Sequence, residues 1–144
     1  MPIAPRFHID HVHDLALQIK RAPLPVRLNQ LQTIESLIFE IEDETLYPLD
    51  YIVYRITGYR SDGEDQPMLL GSALVGDLVA TVAVVSHSLN IPAESALTVE
   101  ETAKSLGVSA RTISRLRREG LPFRWVAEST GRKRLGCVAT TLQL

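Results

Sequence analysis

At 144 residues the chain has room for one ordinary domain or two small ones, and 45% hydrophobic with 22% charged residues is globular composition, not that of a disordered chain. Its one cysteine, Cys137, excludes an intramolecular disulfide, and the opening MPIAPRFHIDHVHD lacks the basic-then-apolar layout of a secretory signal. The net charge of −2 hides an asymmetry: residues 1–96 hold 6 Lys/Arg against 13 Asp/Glu, or −7, whereas residues 97–144 hold 9 against 4, or +5. That division predicts an acidic helical domain over 1–92 and a basic binding module over 97–144.

Asp10 is placed to cap a first helix, with Val12, Leu15, Ala16 and Ile19 on one face and a stop near Ala22 imposed by Pro23 and Pro25. Pro25 suits the first turn of a second helix, whose Leu28, Leu31, Ile34, Ile38 and Ile41 recur at steps of three and four. Glu35, Glu40, Glu42 and Asp43 fall largely off that stripe. In YPLDYIVYRITG, Leu49, Ile52, Val53 and Ile56 fit a third helix ending at Gly58, although the β-branched and aromatic content equally suits a strand. A polar loop, Gly58 to Pro67, leads into a long apolar helix over about 69–89 that should form the centre of a bundle.

Met68 to Val85 has roughly the length of a transmembrane helix. Asp77 lies near its middle, where a charge costs about 2.5–3.5 kcal/mol on insertion scales, and no Lys or Arg occurs between Arg60 and Lys104. A buried core helix is therefore expected, in a soluble cytoplasmic protein with no membrane partner. Gly71 and Gly76 lack the Gly-Lys-Ser/Thr of a phosphate loop and read as sites of close helix contact. His8, Asp10, His11, His13 and Asp14 crowd together, but His11 and His13 point apart in a helix and no Cys or further His follows nearby to close a metal site. His87 reads as structural, and Asp50 and Asp77 as carboxylates without a sequence-local partner. No nucleophile–base pair or metal constellation is present, so neither an enzyme nor a cofactor is expected.

After a linker at 90–96 the signals sharpen. Thr98-Val99-Glu100-Glu101 is a capping box, opening a short helix that should bury Val99, Ala103 and Leu106 and end at Gly107. Ser109 caps a second helix that Gly120 ends. Two short helices across a tight glycine turn form the helix-turn-helix layout. On the second helix Ile113 and Leu116 share one side, whereas Arg111, Ser114, Arg115 and Arg118 fall within an arc of about 100° opposite, with Thr112 flanking. That pattern suits a major groove: Arg111, Ser114 and Arg115 for base edges, Arg118 for phosphate, Thr112 for either. Downstream, Phe123 and Trp125 can face inward with Arg124 outward, Ser129-Thr130-Gly131 turns the chain, and Arg132-Lys133-Arg134 begins a return strand. A basic β-hairpin wing over phosphate is the expectation. The fold class is thus mainly α, an N-terminal helical bundle followed by a small winged helix-turn-helix.

TVEETAKSLGVSARTISRLRREGLPFRW with the following GRKRLG resembles the winged helix-turn-helix of the MerR/excisionase type. The proline of Gly120-Leu121-Pro122, just before the wing, agrees. With RITGYR at 55–60 upstream, the arrangement over Tyr51 to about Gly136 is similar to the N-terminal part of sigma-70-family RNA polymerase sigma factors of planctomycete type. The resemblance implies a transcription protein that binds double-stranded DNA, with RNA polymerase or another protein met through the acidic half, and with homodimerisation open. Nothing here resembles the polymerase-binding and promoter-melting regions of such factors. The chain is then expected to be an N-terminal portion or a stand-alone relative, ending in a helix over VATTLQL. Two other readings stay open: a protein-docking module that uses the helix-turn-helix without DNA, and a ligand-responsive repressor whose apolar bundle encloses an effector.

Overall fold

The computed structural model describes residues 6–60, 66–94 and 96–138; the centre of the polar loop at 61–65 lies outside them, as does the helix expected over VATTLQL except for Val138, which is in a strand. Among the described residues the chain is mainly helical, with two small antiparallel sheets. The elements in order are α1 (Asp10–Lys20), α2 (Leu24–Glu40), β1 (Leu46–Pro48), α3 (Leu49–Thr57), β2 (Met68–Leu70), α4 (Gly71–His87), β3 (Ala96–Leu97), α5 (Val99–Leu106), α6 (Ala110–Arg118), β4 (Arg124–Ala127) and β5 (Lys133–Val138).

Helix α4 is the axis. Leu74, Val75, Leu78, Ala80, Val82 and Val85 are all buried, because α1 and α2 cover one side and β4 another. A 17-residue helix, with Leu69 and Leu70 drawn off into β2, is what remains of the apolar run. Among the described residues no helix is long and apolar enough to cross a membrane. Val12, Leu15, Ala16 and Ile19 of α1 are buried as their spacing predicts, but the cap is Ile9 and Asp10 falls in the first turn. On α2 the buried stripe is Leu31, Ile34 and Leu37; Leu28 is exposed, and Ile38 and Ile41 are half-buried. The stripe rotates because α2 meets α4 on one side and α3 on the other, so Leu37 turns inward.

Asp77 has partners that no local pattern reveals. Its fully buried carboxylate accepts the backbone N–H groups of His8 (2.9 Å) and Ile9 (2.7 Å), tying the segment before α1 onto the middle of α4. The two glycines of GSALVG also part company. A Cβ on Gly71 would lie 1.8 Å from the carbonyl oxygen of Glu42, so this position allows a turn, not a helix, to approach, whereas Gly76 faces open space.

Helix α3 forms with Pro48 before it and Gly58 in the left-handed region (φ 76°) after it, which settles the helix–strand ambiguity. The strand character shows in its flank, where Leu46–Pro48 pairs antiparallel with Met68–Leu70. The expected linker is similarly structured: Ala96 and Leu97 pair with β5, and Pro92 bridges Ala127.

Candidate nucleic-acid interface

Helix α5 opens with the capping box complete: the Glu101 N–H donates to Thr98 Oγ1, and the Thr98 N–H donates to Glu101 Oε1, each at 3.0 Å. Those bonds from Thr98 hold the Glu101 carboxyl below the usual carboxylate range. Gly107, at φ 68°, ends α5 in the left-handed conformation. Thr102 and Ala103 are its buried residues; Val99 is only half-buried against the same cluster, and Leu106 is 40% exposed. Ser109 then accepts the Thr112 N–H at 3.1 Å and starts α6.

Helix α6 carries Arg111, Arg115, Arg117 and Arg118 and no acidic residue. Ile113 is fully buried against Ala103, Phe123 and Cys137. Arg111, Ser114, Arg115 and Arg118 are all exposed on the other side. The guanidinium groups of Arg111 and Arg115 meet no carboxylate among the described residues, Ser114 donates to its own helix at 3.4 Å, and Arg118 donates from Nε to the Ser114 carbonyl at 3.4 Å. Thr112 is half-buried with its hydroxyl 3.1 Å from that of Ser109. Arg117 behaves differently: it lies 5.6 Å from the Phe123 ring centre, its Nε is buried without a hydrogen-bond partner, and burial, then the charge of Arg118, lowers its pKa.

The hairpin forms, with Ala127 opposite Lys133, but its basic residues are not the free row the sequence suggests. Arg124 does not face outward. Its guanidinium makes a two-point ion pair with Glu35 of α2 (Nε to Oε2, 2.9 Å, and Nη2 to Oε1), the two side chains only 15% and 16% exposed. The reason is that the outer face of β4 lies against the helical half. Lys133 donates to the His87 carbonyl at the end of α4. Arg134 donates to the carbonyls of Ala93 (3.4 Å) and Ala96 (3.1 Å) and meets Glu128 at 3.5 Å. Arg132, at the exposed turn, keeps a side chain without such a bond.

Trp125 completes the junction. Its backbone N–H donates to Ser86 Oγ at 2.9 Å and its ring meets the His87 imidazole edge-on at 5.1 Å, which gives His87 a structural partner. The sequence carries no local signal for these bonds, since their partners stand 38 to 89 residues away. Between the halves, Glu35, Ile38, Val82, Leu121 and Phe123 border a void of about 10 Å³, room for roughly one water and no effector. At the N-terminus His13 stacks on Phe7, and among the described residues no three His, Cys, Asp or Glu side chains gather as a metal site. No family model matches this chain, and no curated protein or solved structure matches it.

Proposed function

We propose that the chain is a DNA-binding transcription protein, its basic half a winged helix-turn-helix, and that it corresponds to the N-terminal regulatory region of a sigma-70-type initiation factor acting in the cytoplasm. The observation that supports DNA binding is α6: one face fixed by Ile113, the other presenting Arg111, Ser114, Arg115 and Arg118 to solvent with no acid on the helix. Arginine forks match guanine edges and phosphates, and hydroxyls serve either. In this reading Arg111, Ser114 and Arg115 meet bases, Arg118 and Arg132 meet phosphate, and Thr112 steadies the start of the helix. Arg124, Lys133 and Arg134 act by holding the hairpin. The sigma-70 affiliation rests on the likeness of RITGYR and GRKR in their order along the chain.

Fluorescence anisotropy on random duplex DNA across a salt series tests the DNA reading. With roughly four to six phosphates neutralised, log affinity should fall with log salt at a slope of about −4 to −5, and Arg111→Ala/Arg115→Ala should abolish binding. One observation favours the protein-docking alternative, namely that three hairpin cations are spent inside the chain. Absence of binding at low salt would replace the DNA reading with that one.

A further inference from the structure

The ribbon of β1 and β2 alternates as a half-buried sheet should, but with the wrong chemistry outside. Tyr47 and Leu69 face each other across the register and turn toward the core, Leu69 only 5% exposed. On the opposite face Leu46 stands across from Leu70, and Pro48 across from Met68. Leu46, Met68 and Leu70 are 55%, 53% and 45% exposed. An outward sheet face left to water is normally polar, and four apolar residues in a square mark a surface that something covers. Pro48 has no N–H to offer at the outer edge of β1, so the outer edge of β2, at Met68 and Leu70, is the one better supplied with donors for a further strand.

Next to this face stands a fixed acidic rim. Glu42, Asp43 and Glu44 stand one residue before β1, and none of them meets a cation among the described residues. Their turn is clamped: Ser72 donates to the Asp43 carbonyl at 3.0 Å, Gly71 donates to the Thr45 carbonyl at 2.8 Å, and Gly71 has no Cβ to push them away. The backbone that carries these three exposed acids is therefore held at the end of the ribbon. The acids disfavour nucleic acid, and they disfavour a second copy of the same ribbon, which would bring a like-charged turn with it.

We infer that this ribbon is a docking surface for an extended segment of another protein, one that alternates apolar with Lys or Arg residues and adds as a third strand. Main-chain bonds at the outer edge of β2 would supply the pairing, the Leu46–Leu70 face would take the apolar side chains, and the acidic rim would select basic ones. This surface is independent of α6 and of the DNA reading.

The full chain should be titrated against three fluorescein-labelled peptides of equal length, alternating lysine–valine, glutamate–valine and lysine–serine. Only the lysine–valine peptide should bind. Leu46→Ser/Leu70→Ser, on the outer face and away from the core, should weaken it roughly tenfold or more. Asp43→Asn/Glu44→Gln, which leaves the ribbon intact, should weaken it and reduce its salt dependence, and amide shifts on binding should concentrate in β1 and β2. The inference is overturned if lysine–serine binds as well as lysine–valine, if no peptide binds, or if neither variant changes the affinity. It is equally overturned if the parent self-associates and Leu46→Ser/Leu70→Ser abolishes that, since the occupant is then a second copy.

Discussion

Asp77 shows how a single side chain can fasten two parts of a fold. Its two backbone donors are otherwise without an acceptor at the start of α1, so Asp77→Ala should cost about 1–3 kcal/mol in urea unfolding. The two glycines of α4 give a sharper contrast. Gly71→Ala forces a methyl into the Glu42 carbonyl and should destabilise by about 1–3 kcal/mol, whereas Gly76→Ala fills open space on a helix and should stabilise by about 0.5–1 kcal/mol. In the sequence these residues announce themselves as anomalies: an acid in an apolar run, and two glycines in a helix. What they touch is not legible there, because His8 and Glu42 reach them only once the chain has folded back on itself.

Elements stopped by local chemistry were legible. Thr98 with Glu101, Ser109, Gly58 and Gly107 each act within four residues, and the helices α3, α5 and α6 lie where those signals put them. The arginine face of α6 was legible for the same reason, since helical periodicity alone arranges it. The strands β1, β2 and β3, two or three residues long, were not, because nothing but distant pairing defines them. Thr98→Ala should cost about 1 kcal/mol by losing the cap. Glu101 adds a pH dependence. A carboxyl held low in the fold contributes stability above its unfolded pKa and loses it as the pH falls through its lower folded value. The stability gap between the parent and Glu101→Gln should therefore be widest at neutral pH and close below the usual carboxylate range. The ion pairs offer a second comparison: Glu35→Ala strands a largely buried Arg124, whereas Arg55→Ala removes an exposed pair with Glu40, so urea midpoints should fall further for the first.

At the scale of the molecule, the charge division at residue 96 does not coincide with a gap in structure. Ala127 exchanges backbone bonds with Ile91 and Ala93, Gly120 lies against Ile38 and Val75, and Arg134 reaches back to the connecting segment. Composition reports which half is basic; it cannot report that the halves adhere, which depends on single residues such as Glu35 and Ser86. Trp125, the one tryptophan of the chain, sits at this junction. Its fluorescence and the far-ultraviolet circular dichroism should lose signal along one coincident urea transition, whereas two independently stable halves would separate the curves.

The pairings of Ile91, Pro92 and Ala93 with Ala127, and of Ala96 and Leu97 with β5, also set the direction of α6 relative to the helical half. If α6 lies in a major groove, the β1–β2 ribbon then projects from the duplex at one compass bearing. A protein held by that ribbon and by a second site on the same DNA would feel the helical repeat of about 10–10.5 base pairs: moving the two sites apart by half a turn would set them on opposite sides, and a full turn would restore the arrangement.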